Sequence, residues 1–383
     1  MKSNDPGWLP SPADYPSTRL FCLDLLRGLD MFILVVLHDI LYWIGKLCGA
    51  SDGWFYHLSH PWGGFSFWDV IMPCFIFMCG AAIPLSVGRR FASGEPKSKV
   101  WMHVLLRFAM LWFFGMLTQG RLATLDVMRI SPYNNTLQTI AAGYLIAVLV
   151  RQIRWRGAWI AATALLALVY TLLIHFLGDY SAEGNFAHVV EVKILACLVP
   201  AKSEAFSLGG YTWFLTTLMF GAMTLCGMLA TDLLTSGLAP WRKAGALAAY
   251  GAGLLAVGFA VEPVIPCIKQ FFTLSFTAQA MGYCVLALAA LYVLTDIWRL
   301  RRGTGVLLLY GQCALAAYML SHFFRPFTDG LVKVLAQGLP HLLGGYAGTW
   351  MPLVNALVYG VVITFLVAAH RRLKILKARS RAV

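Results

Sequence analysis

Long apolar runs recur along the whole chain and are separated by short polar segments. A helix needs about 20 mostly apolar residues to cross a bilayer. Segments of about ten residues with alternating polarity, which would indicate a transmembrane barrel, do not stand out in the sequence. The pattern therefore predicts an all-α, polytopic transmembrane helical bundle of about ten helices, with spans near 25–46, 66–87, 100–118, 135–150, 157–177, 211–231, 244–262, 275–297, 304–322 and 350–370.

Basic residues are concentrated in every second loop of this pattern. Arg89 and Arg90 follow the second run, and Arg151 and Arg156 close the fourth. Short cytoplasmic loops carry an excess of Lys and Arg in membrane proteins. Both termini are therefore predicted to be cytoplasmic, and the long connection near 178–210, which holds several acids, is predicted to be extracytoplasmic.

The same pattern divides the chain into three parts. Residues 1–18 are polar and rich in proline, without the apolar core of a signal peptide, and are expected to form a cytoplasmic tail. Residues 19–372 form one transmembrane domain, and 373–383 form a basic cytoplasmic tail. A short apolar stretch at 331–343 fits an interfacial or re-entrant helix.

Composition supports a membrane protein and argues against a nucleic-acid partner. Hydrophobic residues make up 59% of the chain and charged residues 12%, against about 25% charged residues in soluble domains. The net charge of +13 comes from the alternating loops and not from one basic patch with interleaved aromatics. The nine cysteines show neither CxxC pairs nor Cys/His ligand spacing, so no metal site is expected.

Ionisable residues inside the first predicted span are the first candidates for chemistry. Asp24, Arg27 and Asp30 follow each other at helical spacing and can pair. They form either an interfacial salt-bridge cluster or, through Arg27, a contact with a phosphate on the cytoplasmic side. His38 and Asp39 lie in the outer half of the span, where ionisable groups default to functional candidates; the alternative is a buried polar pair that joins helices.

The stretch from His57 into the second span carries the main candidates. His60 precedes an aromatic-flanked turn that contains Trp62, and Asp69 is the first charge in the following helix. A histidine near its ordinary pKa of about 6.5 suits proton removal at neutral pH. A nearby carboxylate can orient the ring and stabilise its cation, so we interpret His60 and Asp69 as a candidate acid–base pair, with His57 as a solvated neighbour or a competitor.

Uncharged hydrogen-bonding residues gather where the fourth span begins. Asn134, Asn135 and Gln138 offer amides that suit a sugar or an amide-like group, although Asn135 also fits a simple helix N-cap. Lys269 precedes the eighth span, where its side chain either extends to the interface or binds an anionic substrate group.

Four stretches of the chain resemble a known family. They are RLFCLDLLRGLDMF, SHPWGGFSFWDVIMPCFIFMCGAAIPLS, YNNTLQTIAAGYLIA and IPCIKQFFTLSF. Together they resemble the membrane acetyltransferases related to heparan-α-glucosaminide N-acetyltransferase, particularly their bacterial relatives, over roughly residues 19–325. The resemblance implies transfer of an acetyl group from cytoplasmic acetyl-CoA to an amino sugar or glycan on the extracytoplasmic side.

The resemblance also assigns roles to residues of this chain. It places the active histidine at His60. Asp69, His38 and Asp39 are further candidate catalytic residues from their positions in the chain. The gap from His60 to Trp62 is one residue shorter than the family pattern, which leaves His57 as a competitor, and His38 stands where the lysosomal enzyme has an asparagine.

The remaining expected contacts concern the substrates and the membrane. The acceptor is expected at a set of side chains that comprises His57, Trp62, Asn134, Asn135, Gln138 and Lys269. The phosphates of acetyl-CoA are expected at Arg27, Arg89 and Arg90. The expected location is a bacterial inner membrane, with a homodimer left open; the alternative function is a transporter of a sugar or an acylated glycan.

Overall fold

The computed structural model describes residues 8–11, 15, 19–119, 121–153, 155–206, 212–335, 338–343 and 347–380, and the predicted tail at 1–18 lies mostly outside them. Within these ranges the chain is helical and contains no strand, which confirms the all-α class. The α-helices are α1 Phe21–Phe32, α2 His38–Leu47, α3 Asp52–His57, α4 Ile71–Ala82, α5 Val87–Ala92, α6 Lys97–Thr118, α7 Thr136–Arg151, α8 Arg156–Leu177, α9 Phe186–Leu198, α10 Thr217–Leu234, α11 Pro240–Val261, α12 Leu274–Tyr292, α13 Gly305–Gln312, α14 Ala314–Leu335, α15 Leu339–Leu343 and α16 Ala347–Ser380.

Seven helical stretches of the described residues are long and apolar enough to cross a membrane. Each overlaps a predicted span, which confirms a multi-pass membrane protein; the count of ten and the cytoplasmic termini stay predictions. The seven are Phe67–Ala92, Lys97–Thr118, Arg156–Leu177, Thr217–Leu234, Pro240–Val261, Leu274–Ile297 and Trp350–Ala378.

The first and fourth predicted spans are helical but differ from these seven. The first is a continuous run in which a π-helical turn, Ile33–Leu37, joins α1 to α2. The fourth is α7, whose 16 residues extend about 24 Å at 1.5 Å per residue, less than the roughly 30 Å of a bilayer core.

The ninth predicted span, 304–322, is broken in the structure. Helices α13 and α14 meet at a bend of 87°, where Cys313 has φ −116° and ψ 24°, outside the helical region. Helix α14 then continues to Leu335, so most of the stretch at 331–343 belongs to α14 and the short α15. A continuous span at 304–322 was therefore wrong, because the backbone leaves helical geometry within it.

The described chain falls into two compact units. Unit 1 comprises Met1–His60, Ser66–Ile71 and Ala290–Val383, and unit 2 comprises Pro61–Phe65 and Met72–Ala289. This division was not predicted from the apolar pattern, which indicated one transmembrane domain.

Unit 1 is organised around a close crossing of α1 and α13. A Cβ atom on Gly28 would lie 1.8 Å from the carbonyl oxygen of Leu307, and one on Gly311 would lie 1.9 Å from that of Asp24. Only glycine permits backbones to approach so closely. Helix α16 packs on α14 and α2 in the same unit.

Unit 2 is built on α10, which packs against α7 and α8. A second close crossing joins it to α4: a Cβ on Gly80 would lie 1.7 Å from the Thr224 carbonyl oxygen, and one on Gly227 would lie 1.8 Å from that of Phe77. The entry into α7 is fixed by Asn135, whose side chain accepts a hydrogen bond from the Leu137 N–H. This confirms the N-cap interpretation of that residue.

Candidate functional site

His60 and Asp69 form a hydrogen-bonded pair in unit 1. The Nδ1 atom of His60 lies 2.7 Å from Oδ1 of Asp69. The Asp69 side chain is fully buried, whereas 41% of the His60 side chain is exposed. Since the Asp69 carboxylate accepts a hydrogen bond from Nδ1–H, the lone pair of a neutral His60 ring lies on Nε2. The geometry suits a partly exposed base oriented by a buried carboxylate.

Local backbone structure explains why Asp69 faces His60. Ser66 and Asp69 form a capping box at the start of the 3₁₀ turn Phe67–Val70, and the second oxygen of Asp69 accepts the Ser66 N–H at 3.2 Å. The Ser66 hydroxyl donates to the carbonyl oxygen of Ser59 at 2.7 Å, one residue before His60. These bonds fix the positions of His60 and Asp69 relative to each other.

His57, the competitor of His60, has a different environment. Its Nδ1 accepts a hydrogen bond from the Phe67 N–H at 3.4 Å, so its ring is anchored to backbone and not to a carboxylate. Without an acidic partner at this bond, His57 lacks the arrangement that orients and stabilises an imidazolium. The geometry therefore favours His60.

His38 contacts hydrogen-bond acceptors through both ring nitrogens. Nδ1 lies 2.9 Å from Oδ1 of Asp39, and Nε2 lies 3.1 Å from the carbonyl oxygen of Leu58. A neutral imidazole has one N–H donor, whereas an imidazolium has two, so the geometry fits a protonated ring. The face of Trp68, 4.1 Å away between ring centroids, also suits a cation.

This geometry changes the role expected for His38 and Asp39. Because both ring nitrogens of His38 are engaged by Asp39 and Leu58, His38 has a structural role in this geometry, and its catalytic role stays a prediction. It ties α2 to Leu58 and Trp68, which flank His60 and Asp69 in sequence. The alternative of a polar pair that joins elements describes His38 and Asp39 better.

Arg325 is the residue of this cluster that the sequence interpretation missed. It forms an ion pair with Asp39, lies 3.8 Å from Asp329 one turn later and sits over the ring of Tyr359 at 4.6 Å. Asp329 also accepts a hydrogen bond from Asn355 at 2.7 Å. The sequence does contain a sign of this cluster, an arginine and an aspartate four residues apart in an apolar stretch. Charged groups in a membrane need partners, so this pattern indicates an ion pair.

Replacing Arg325 with leucine is expected to destabilise the protein by about 1 to 3 kcal/mol. The change removes the guanidinium group from Asp39, whose partly buried carboxylate then keeps its bond to His38. Losing one partner of such an ion pair costs more than the pair contributes. The measurement is thermal unfolding of the detergent-solubilised protein. Arg302→Leu, at an exposed loop position, is the matched control and should stay within about 0.5 kcal/mol; equal effects of the two changes would contradict a role for the cluster.

Asp24 is the centre of a separate ionic cluster near the start of α1. It pairs with Arg19 at 2.8 Å and with Arg27 at 3.2 Å. It also accepts a hydrogen bond from the hydroxyl group of Tyr15, with 2.6 Å between the two oxygens. Burial and the charge of Asp24 raise the pKa of Tyr15 above its ordinary value, so this phenol remains a donor. The predicted pairing of Asp24 with Arg27 is confirmed, and the interfacial salt-bridge interpretation accounts for it.

The other two arginines considered for acetyl-CoA lie in unit 2, whereas Arg27 lies in unit 1. Arg89 and Arg90 are in the short helix α5, and Arg90 pairs with Glu95 at 3.4 Å. Their place at a basic turn after an apolar helix keeps them as candidates for an anionic ligand.

The amides at the start of α7 are mostly engaged by the protein itself. Asn135 is fully buried and donates to Thr118 and Gln119, each at 3.0 Å. Gln138, also fully buried, accepts the Asn134 N–H at 2.8 Å and donates to the Pro132 carbonyl at 2.7 Å. These bonds give Asn135 and Gln138 structural roles, while Asn134 lines a cavity of about 440 Å³ in unit 2.

Trp62 and Lys269 have contrasting environments in unit 2. Trp62 is 45% exposed, and its ring meets Phe271 edge to face at 5.4 Å. Lys269 is only 6% exposed and lies in an irregular segment before α12, where its carbonyl oxygen accepts the Phe272 N–H at 2.9 Å. An exposed lysine extended toward an interface, one of the two sequence interpretations, was therefore wrong.

The fold and these clusters define a class: a multi-pass helical membrane protein with two His–Asp pairs in one of its units. No set of three or more metal-ligating side chains occurs within the part of the chain that the structure describes. Residues 19–220 match the model of a family described as a domain of unknown function, DUF5009. The match covers more than half of the chain, so the protein belongs to that family. No curated protein matches it.

Proposed function

We propose that the protein is a transmembrane, acetyl-CoA-dependent acyltransferase of a bacterial inner membrane. It moves an acetyl group from cytoplasmic acetyl-CoA to an amino sugar or glycan on the extracytoplasmic side. The observation that supports this most is the hydrogen bond from a partly exposed His60 to a fully buried Asp69. The resemblance of the 57–87 stretch to membrane acetyltransferases agrees with it.

The proposed step is attack of the neutral acceptor amine, whose ammonium form has first lost a proton to solvent, on the thioester carbonyl carbon. The lone pair on Nε2 of His60 takes the proton that the acceptor nitrogen loses, and Asp69 stabilises the imidazolium. A carbon–nitrogen bond forms and the carbon–sulfur bond breaks, so that the electron pair leaves with the CoA sulfur, which takes a proton from His60. The same groups allow a two-step route through an acetylated His60.

Acetyl-CoA is a substrate in this proposal, with Arg27, Arg89 and Arg90 as candidate contacts for its phosphates. Guanidinium groups suit phosphate oxygens because they donate in a planar fork. No metal takes part in the proposed step.

The test is transfer of labelled acetyl by the purified protein in liposomes with acetyl-CoA inside. A panel of amino sugars and glycan fragments is supplied outside, and the expected result is labelled acceptor in the outer solution. Label on the protein without acceptor would support the two-step route. Failure to bind CoA thioesters, measured on the same preparation, would overturn the acyltransferase proposal.

The broken helix supports a second candidate function. Discontinuous helices commonly form substrate sites in transporters, and α13 and α14 bend by 87° at Cys313. A transporter of a sugar or an acylated glycan would move the labelled sugar across the liposome membrane without acetyl-CoA. That uptake, in the absence of acetylation, is the result that would favour it.

A further inference from the structure

A polar cavity lies within unit 2. Its volume of about 440 Å³ is within the range of roughly 300–1,000 Å³ that is usual for small-molecule sites. The end of α6, the segment that precedes α7 and one side of α9 form its wall, together with Glu204 and Trp213. Its lining combines hydroxyl, amide, aromatic and charged side chains.

Glu191 lines this cavity from α9. One of its carboxyl oxygens accepts the Phe214 N–H at 2.8 Å. Within the described residues this is the one hydrogen bond of Glu191, and no ion pair accompanies it there. The other oxygen is therefore available to a ligand.

The other charged residues of the lining are already paired. Arg121 and Arg129 both form ion pairs with Glu204, the latter at 3.3 Å, and Arg129 also lies 3.7 Å from Asp126. Glu191 is consequently the charge of the cavity that lacks a counter-charge among the described residues. A partly buried carboxylate in that situation is stabilised by a proton or by a cationic ligand.

Burial raises the pKa of Glu191, as expected for a carboxylate without a counter-charge. Loss of water raises its pKa to about 7, and the Phe214 N–H opposes that rise. The carboxyl is therefore about half ionised at neutral pH. A cationic ligand would stabilise its charged form. Aromatic side chains such as Tyr133 and Trp213 in the same lining favour an organic cation over a metal ion.

We infer that this cavity binds a hydroxylated organic ammonium compound, with Glu191 as the counter-charge of the ammonium group. Side chains such as Gln119, Ser131 and Asn134 in the same lining are suited to the hydroxyl groups. The inference rests on the proposed function in one respect, since it makes this cavity the place where the amine acceptor is recognised.

A carboxylate that binds an ammonium group discriminates between an amine and the acetamide formed from it. Acetylation removes the positive charge, so the product loses its attraction to Glu191 while its hydroxyl groups are unchanged. The acceptor should bind more tightly than the product, which favours product release. Glu191 would be a specificity-determining residue.

The experiment is equilibrium dialysis of the purified full-length protein with labelled glucosamine, without acetyl-CoA, between pH 5.5 and 7.0. Glucosamine stays largely protonated over this range. Because His188 also lines the cavity, the loss of pH dependence in the Glu191 variant below, and not the pH profile alone, assigns the change to Glu191. As the pH falls below about 7, Glu191 takes up a proton and loses its charge. Glucosamine binding should therefore be on the order of tenfold weaker at pH 5.5 than at pH 7.0, whereas N-acetylglucosamine should bind more weakly with little dependence on pH.

Glu191→Gln is the decisive variant, because glutamine still accepts the Phe214 N–H but carries no charge. It should weaken glucosamine binding at pH 7.0 to the level of N-acetylglucosamine and remove the pH dependence. Glu183→Gln, at an exposed position before α9, is the matched control and should change neither. Equal binding of the two sugars by the unmodified protein, or unaltered binding in Glu191→Gln, would overturn the inference.

Binding and transfer can fail separately. Selective glucosamine binding without acetyl transfer, in the assay that tests the proposed function, would keep the ammonium site and reject the acyltransferase. Transfer that proceeds without selective binding would reject the ammonium site alone.

Discussion

Replacing His60 with alanine is expected to reduce acetyl transfer by about 10² to 10⁴-fold, the usual contribution of a positioned general base. Under the two-step route the loss would be complete, because the acyl carrier is absent. The measurement is the initial rate of labelled acetyl transfer in liposomes. Binding of CoA should change little, since 41% of the His60 side chain is exposed. The thermal unfolding temperature should fall modestly, because the buried Asp69 loses one of its hydrogen-bond partners.

His57→Ala is the matched control, three residues earlier in the same segment. It should retain most of the activity, because the bond of His57 to the Phe67 N–H is long and does not orient a base. Asp69→Asn should reduce the rate in the same direction as His60→Ala, since an amide cannot stabilise an imidazolium by charge. Loss of activity in His57→Ala with full activity in His60→Ala would exchange the roles of the two histidines.

Replacing Gly80 with alanine is expected to prevent normal folding of unit 2 or to lower its stability by about 3 kcal/mol or more. The added Cβ would lie 1.7 Å from the carbonyl oxygen of Thr224. That atom belongs to the backbone, so no side-chain rotation relieves the overlap, and α4 and α10 must separate. Overpacking of a side-chain core typically costs about 1 to 3 kcal/mol, and a backbone contact is less adaptable.

Yield of monodisperse protein and the thermal unfolding temperature test this expectation. Gly245→Ala and Gly253→Ala are matched controls in α11, since a Cβ at either exposed position meets no atom within 4 Å. Alanine there should be neutral or stabilise the helix by up to about 1 kcal/mol. Normal yield and unchanged unfolding of Gly80→Ala would contradict the close crossing of α4 and α10.

The membrane helices were largely predictable, because length and apolar character are local properties of the sequence. Spans at 157–177 and 275–297, for example, coincide within a residue or so with Arg156–Leu177 and Leu274–Ile297. The break at Cys313 was not predictable in the same way. Both sides of it are apolar, so hydrophobicity continues while the backbone turns.

The pairing of His60 with Asp69 could be anticipated because both residues belong to one short segment. The partner of Asp39 could not, since Arg325 lies 286 positions further along the chain and the pairing depends on the packing of α14 in unit 1. The same limit applies to Glu191. The sequence around Glu191 does not indicate that it lines a cavity, because the residues that bury it are distant in sequence.

The amides at the start of α7 show how one local pattern is compatible with two roles. Asn135 and Gln138 were conspicuous because polar groups cluster at the start of an apolar helix. Buried amides need partners, and the structure supplies them from Thr118, Gln119, Asn134 and Pro132. The polarity that suggested a ligand is therefore used by the protein to begin the helix.

The π-helical turn Ile33–Leu37 sets the direction in which His38 and Asp39 point. Such a turn holds one residue more than an α-helical turn. Deleting any one of its five residues would let α1 continue into α2 as one α-helix. The side chains of α2 would then be rotated by about 100° about the helix axis relative to those of α1. Asp39 and Arg325 would then no longer be aligned while α1 remained against α13. At this position the number of residues matters more to the structure than their identity, so apolar substitutions should be tolerated where single deletions are not.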